Sequence, residues 1–428
     1  TMLRFGHMAL PGPLKRFFCS IANATTVLLN PTERVITIKN ATNEDKKMHF
    51  PLAWLRDNCP CPVCYSASSE LRNLKMMDFC PRVNAVSVQM SEQSESMTVS
   101  WDDGHSSSYR LEWLRAVAFG ADTAGRQRPP LTRNRPVLWC DASKATAPIW
   151  QPKKVRFEHI MKSDAELLLT LLELEERGLV LIEDCGVDSE VVKNICKRLS
   201  FPRTTHYGET FEMRAEAKPR NLGYTSDRLD FHTDLPYMHE QPGVQALLCQ
   251  VQASGPGGDS LFADGFSAAE HIRRSRPDLF RLLTTVPVRF RDRGQLADRR
   301  FDLVATHATI ELDCQPDGEW CYRRVHFSNQ QRDLLQAWPL ADVQLIYDAL
   351  KAFNDVIEGR DISSDSSKVQ LQVKLRSGEM ALFDNSRLLH SRTGFSGERQ
   401  LAGAYLLWDE VLSRRRTLES QLQIGRQD

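Results

Sequence analysis

"LDFHTDLPYMHEQPGVQALLCQV", Leu229 to Val251, sets an imidazole and a carboxylate two residues apart in an otherwise apolar stretch. In a strand, residues i and i+2 project to the same side, so His232 and Asp234 present both groups to one face. The apolar run after Gly243 reads as a further buried strand. Such a pair is most simply hydrogen-bonded. Read as metal ligands, the two need a third donor from elsewhere, and Fe(II) oxygenases use two histidines and one carboxylate. His390, in "FDNSRLLHSRTGFSGERQLAGAY", lies on a late strand and is followed nine residues on by Arg399. His239 follows a proline turn and is a weaker ligand, while His206 and His271 read as structural or exposed.

Outward from this pair, short strands alternate with a few helices. Ala165 to Arg177 has helical spacing and ends at Gly178, and "LVLIEDC" follows as a buried strand. "DSLFADGFSAAEHIRRSRPDLFRLL" reads as a strand and two helical segments, the second opening at Pro277. "TIELDCQPDGEWCYRRVHF" is a hairpin turning at Pro316-Asp317-Gly318, and Val343 to Phe353 is helical. "EMALFDNSRLLHSR" and "RQLAGAYLLWD" are late strands. This pattern predicts a mainly β sandwich or barrel decorated by helices.

Upstream, "RDNCPCPVCY" places Cys59, Cys61 and Cys64 within six residues. "SMTVSWDDGHSSSYRLEWL" reads as a hairpin around Asp102-Asp103-Gly104, with Val99 and Trp101 on one face and His105 just past the turn. Three thiols and that imidazole make a Cys3His set with every position filled, the pattern of a structural zinc site. The plain alternative is three reduced thiols. Residues 33–119 are therefore a small zinc-binding β domain. The polar, Pro- and Gly-containing stretch 120–140 is a linker, and 141–428 is a second, larger domain.

The 428 residues suffice for these parts. Lys plus Arg (55) balances Asp plus Glu (55), so no global basic field points to nucleic acid. That balance, and the lack of a finger-type helix after the cysteines, argue against a zinc-dependent nucleic-acid module. No apolar run spans a membrane. The cysteines number 11, an odd count, and fit a reduced compartment. Residues 1–32 lack acidic side chains and carry Arg4, Lys15 and Arg16 among Ser and Thr, as in a mitochondrial transit peptide; a disordered tail, with cytoplasmic location, is the alternative. The apolar residues Val411, Leu412, Leu418 and Leu422 have near-helical spacing, which suits a homodimer contact or packing on their own domain.

From about Phe50 to Leu412 the chain resembles the γ-butyrobetaine and trimethyllysine dioxygenase family of Fe(II)/2-oxoglutarate oxygenases. The marks are "WLRDNCPCPVCY", "FHTDLP", "PGVQALLCQV", "GGDSLFADGF", "FDNSRLLHSR" and "GAYLLWDEV". The resemblance implies a double-stranded β-helix domain and an N-terminal zinc domain. It implies iron on His232, Asp234 and His390, with ascorbate supporting activity. 2-Oxoglutarate would be held through its far carboxylate by Arg399, with Arg392 as runner-up. Its substrates are quaternary amines, hydroxylated with O2 while 2-oxoglutarate yields succinate and CO2. Tyr207, Phe211, Tyr224 and Tyr405 match its aromatic cage for the trimethylammonium group, Phe211 replacing the usual tryptophan. Asn221 matches the butyrobetaine branch, where the trimethyllysine branch has aspartate, and Asn329 matches a second polar contact. "FSGERQLAGAY" leans towards the other branch, because its histidine-to-arginine spacing is shorter. These features favour γ-butyrobetaine hydroxylated at C3 to L-carnitine over 3-hydroxylation of trimethyllysine. A non-catalytic metal-binding protein would be expected to have lost a ligand, and all three are present.

Overall fold

Alternation of apolar residues along four strands explains the catalytic domain. In Leu179–Glu183, Val244–Val251, Met380–Asp384 and Gln400–Leu406 successive side chains enter two different cores. Leu179, Leu181, Leu247, Cys249, Ala381, Phe383, Leu401 and Tyr405 face an inner cluster. Val180, Ile182, Val244, Ala246, Leu248, Met380, Leu382, Ala402, Ala404 and Leu406 face an outer one. A sheet covered on both faces gives continuous apolar runs rather than polar alternation. The outer cluster also holds residues of four helices, Phe157–Lys162, Asp164–Arg177, Glu190–Leu199 and Trp408–Leu422.

The computed structural model describes residues 26–40, 43–91, 93, 95–119, 133, 136–140, 150–214, 225–296, 299–314, 320–335, 338–360 and 369–422. It forms two compact units, 1–130 and 131–428. In the second, one six-stranded sheet runs Phe211–Arg214, Gln400–Leu406, Val244–Val251, Met380–Asp384, Leu179–Glu183, Lys153–Arg156. A four-stranded sheet runs Leu229–His232, Leu388–Arg392, Ser260–Asp264, Gln370–Val373. Side chains of both sheets share the inner cluster, which makes the unit a double-stranded β-helix. "EMALFDNSRLLHSR" thus divides between the two sheets. The segment between its strands is pinned by the fully buried Arg387, paired with the equally buried Asp264 at 2.7 Å. Ser163 caps the helix Asp164–Arg177, which Gly178 closes at φ 86°.

The first unit has two three-stranded sheets, Thr26–Asn30 with Val35–Asn40 and Asn43–Pro51, and Ala85–Met90 with Ser96–Trp101 and Ser106–Arg110. Ile36, Phe50, Leu55, Val99, Trp101 and Tyr109 fill its core. Strand Thr26–Asn30 lies inside the stretch expected to be a tail. Its Val27 and Leu29 pack on that core, so their apolar mass belongs to the fold. The transit-like residues 1–25 lie outside the described residues, as do the turn 316–318 and most of the expected linker. Residues 136–140 belong to the second unit: Trp139 donates its amide to Asp264 Oδ2 at 3.0 Å and its indole N–H to the Arg177 carbonyl at 2.7 Å. The final helix buries Val411, Leu412 and Leu418 in its own unit, so that stripe is not a spare dimer face. The helix expected at 343–353 runs Leu340–Ile357. Among the described residues no helix is long and apolar enough to cross a membrane.

Candidate active site

His232 and His390 face each other across the antiparallel pair Leu229–His232 and Leu388–Arg392. Their ring centroids lie 4.3 Å apart with a 44° tilt. Asp234 joins them by a different route from the one its i+2 spacing suggests. The strand ends at His232. The Thr233 amide then donates to the Phe327 carbonyl at 2.8 Å, and Leu235 takes a positive φ of 58°. Asp234 is fixed instead by side-chain amides. Its N–H donates to Asn385 Oδ1 at 2.8 Å, and its carbonyl accepts from Gln241 at 2.8 Å and Asn385 at 3.0 Å. Its Oδ1 then lies 3.3 Å from His232 Nε2 and 3.8 Å from His390 Nε2.

The electrostatics suit a cation. Burial pulls the Asp234 pKa upward, but His390, His232 and a Tyr405 bond outweigh it and hold the carboxyl well below its usual range. Burial, reinforced by His232, pushes His390 down to about 3. Burial also opposes the charged form of His232, yet Asp234 beside it raises it overall. His232 Nδ1 lies 2.8 Å from the Asp230 carbonyl, so it donates there and leaves Nε2 as the free lone pair. Such second bonds commonly fix the tautomer of a metal-binding histidine. This donor set fits Fe(II), with three protein ligands leaving positions for small molecules.

One cavity contains the triad. Tyr207, Phe211, Tyr237 and Tyr405 give it an aromatic wall, and Arg392 and Arg399 also line it. Phe211 stacks on Tyr405 at 5.0 Å and lies over Gly403, where a Cβ would stand 2.3 Å from its Cζ. Tyr405 departs from a simple cage role: its hydroxyl donates to Asp234 Oδ2 at 2.7 Å. Asn329 does not line the cavity. It is exposed and accepts from Arg332 at 3.0 Å, while its neighbours Ser328, Gln330 and Gln331 line the wall. Asn221 and Tyr224 lie outside the described residues. Sequence reasoning missed Tyr237, Asn385 and Gln241. Tyr237 and Gln241 stand in the stretch that carries Asp234, and the "DN" before the His390 strand was the signal for Asn385.

Both arginines are largely buried. Burial, then the Arg399 charge, pushes Arg392 down to about 10. Arg392 donates to the Thr225 and Asp227 carbonyls at 2.7 Å each. Among the described hydrogen bonds Arg399 has no such carbonyl acceptor, so its guanidinium keeps more capacity for a guest carboxylate.

In the first unit, His105 Nε2 lies 3.3, 3.4 and 3.6 Å from the sulfurs of Cys59, Cys61 and Cys64. A tetrahedral zinc with ordinary bond lengths requires N–S edges of about 3.5 Å. Gly104 turns the hairpin at φ 80°, and Asp103 accepts the His105 amide at 2.9 Å. Burial, reinforced by the Cys61 and Cys64 thiols, pushes Cys59 up to about 11, while backbone and thiol hydrogen bonds outweigh burial at Cys61 and bring it down. Arg56 adds a donor to Cys64 Sγ at 3.4 Å.

The comparisons agree with this geometry. Residues 142–405 match the model of the taurine catabolism dioxygenase TauD, TfdA family, and residues 28–115 match the γ-butyrobetaine hydroxylase-like N-terminal model. The chain is 30% identical to γ-butyrobetaine dioxygenase of Homo sapiens, covering 89% of this chain and 94% of that one. It is 32% identical to γ-butyrobetaine dioxygenase of Pseudomonas sp. (strain AK-1), covering 85% and 89%. Mitochondrial trimethyllysine dioxygenase of Gallus gallus is 28% identical, with 88% and 85% covered. The chain belongs to the γ-butyrobetaine and trimethyllysine dioxygenase family, the Fe(II)- and 2-oxoglutarate-dependent oxygenases with a TauD, TfdA catalytic domain.

Proposed function

We propose that the chain hydroxylates γ-butyrobetaine at C3 to give L-carnitine, with succinate and CO2 as co-products. One observation carries this reading. A single cavity joins the triad, two buried arginines and an aromatic wall, and among its described lining residues Asp234 is the only acid. A trimethylammonium group cannot donate hydrogen bonds and is held by aromatic faces, to which Tyr207 and Phe211 contribute.

His232, Asp234 and His390 would hold Fe(II), which when bound couples oxidative decarboxylation of 2-oxoglutarate to insertion of oxygen into a C–H bond. Arg399 would take the far carboxylate of 2-oxoglutarate in its planar fork, with Arg392 adding charge. Tyr405 would keep Asp234 in one orientation. The aromatic wall would hold the substrate so that one carbon stands beside the triad, where small displacements cost rate. Cys59, Cys61, Cys64 and His105 would hold a structural zinc.

Incubation with γ-butyrobetaine or trimethyllysine, plus Fe(II), 2-oxoglutarate and ascorbate, tests the reading by mass spectrometry of the products. Carnitine formation with at least tenfold higher kcat/KM for γ-butyrobetaine is expected; preferential hydroxylation of trimethyllysine would overturn it. The family relationship also supports a homodimer, which light scattering at micromolar concentration would detect. The basic, acid-free residues 1–25 support mitochondrial import, to be checked by fractionation.

A further inference from the structure

A second group of two imidazoles and a carboxylate lies outside the cavity just described. His307 comes from strand Arg299–Ala308, Glu311 from Ile310–Cys314, and His326 follows Trp320–Val325. The register slips between Glu311 and Leu312, and such a bulge re-aims a side chain. Glu311 Oε1 lies 3.1 Å from His326 Nε2 and 3.7 Å from His307 Nδ1. In the triad, one Asp234 oxygen lies 3.3 and 3.8 Å from two imidazole nitrogens.

The resemblance extends to the outer bonds. The remaining nitrogen of His307, Nε2, lies 2.9 Å from the Met238 carbonyl, as His232 Nδ1 lies 2.8 Å from that of Asp230. His326 is fully buried, and neither of its ring nitrogens makes a hydrogen bond of acceptable geometry. His390 likewise buries an unpartnered Nδ1. Nε2 of His326 stands 3.1 Å from the Glu311 carboxylate oxygen, and a shared metal ion would satisfy both groups.

We propose that His307, Glu311 and His326 form a further divalent-metal site, with Zn(II) as its occupant. Two imidazoles and one carboxylate oxygen are a zinc-type donor set, and zinc outranks Fe(II) at such ligands. The N–O edge of a tetrahedral zinc is about 3.4 Å, between the two observed separations. The Glu311 side chain is 27% exposed, so water completes the shell. The two rings are stacked at 8°, against 44° in the triad, so binding tilts one of them. Through Met238 the ion would brace the segment between Asp234 and Gln241.

The test uses the full chain carrying His232→Ala and His390→Ala, which removes two of the three triad donors. After mild chelation, Zn(II) saturation and gel filtration, elemental analysis should find about one zinc per chain beyond the Cys3His zinc. Adding Glu311→Gln, or separately His307→Gln, should remove it. Co(II) bound after the same treatment should show a spectrum without thiolate charge transfer. A folded parent that holds no zinc beyond the Cys3His ion overturns the site without recourse to the variants. So does an undiminished count in both variants.

Discussion

The clusters at Cys59 and His232 are assembled in the same way and end differently. Each starts from a short local motif, Cys-x-Cys-x2-Cys or His-x-Asp, and is completed by one histidine distant in the chain, His105 from a hairpin turn or His390 from a strand. Each has a donor aimed at an anionic ligand, Arg56 at Cys64 and Tyr405 at Asp234. The first gathers four soft or borderline donors at tetrahedral spacing, which fills a zinc ion and leaves it a structural role. The second gathers three donors on the wall of a cavity, which leaves coordination positions for reactants. Counting donors against the metal's preferred number separates a staple from a catalyst.

Breaking the second cluster should give the largest effect on turnover and the smallest on stability. His232→Ala or His390→Ala should lower substrate-dependent succinate formation on the order of a thousandfold or more, with Tm shifted by only a few degrees. Full turnover of either variant with Fe(II) supplied would remove the assignment. Breaking the first cluster should do the reverse. Cys64→Ser should release zinc and unfold the first unit, because metal binding there is folding free energy of several kcal/mol or more. Mild chelation of the wild type should strip iron, with activity restored by Fe(II), and leave zinc in place. Equal loss of both metals would erase the distinction.

The arginine pair tests whether an anion belongs beside the triad. Arg399→Lys loses the planar fork and should raise the KM for 2-oxoglutarate about thirtyfold, or roughly 2 kcal/mol. Arg392→Lys should act mainly on local structure, because its guanidinium already serves the Thr225 and Asp227 carbonyls. A larger KM effect from Arg392 would exchange their roles.

The parts legible in the sequence were those set by short spacing or alternation. Cys59, Cys61 and Cys64 are close in the chain, and a glycine turn presents His105, so that cluster follows from local rules. The strand Val244–Val251 announced itself because burial on both faces leaves a mostly apolar run, interrupted only at Gln245 and Gln250. Asp234 does stand beside both histidines, but its i+2 spacing does not put it there: strand geometry stops at His232, and Asn385 and Gln241 complete the placement. Bonds over such separations leave no periodic trace. Asn329 illustrates the same limit, since a turn decides whether it or Gln330 meets the cavity. The final helix was ambiguous because an apolar stripe looks alike against its own core or a partner.

Tyr405 offers the smallest and most discriminating change. Its ring stacks on Phe211 in the aromatic wall, while its hydroxyl holds Asp234 Oδ2. Tyr405→Phe keeps the ring and removes only the hydroxyl, leaving one oxygen of a buried carboxylate without its donor. A charge-assisted bond of this kind contributes about 1.5–3 kcal/mol, and losing a bond that orients a ligand typically weakens metal binding about tenfold or more. The variant should therefore need about tenfold more Fe(II) for half-maximal activity. At saturating Fe(II) its kcat and its KM for the quaternary amine should stay within a few-fold of wild type, since the π face is retained. The corresponding change at the first cluster, Arg56→Lys, should leave zinc stoichiometry unaltered, because four protein donors still close that shell. If Tyr405→Phe instead raises the KM for the amine with no change in Fe(II) demand, the hydroxyl contacts substrate rather than steadying Asp234, and the likeness between the two clusters fails at its outer bonds.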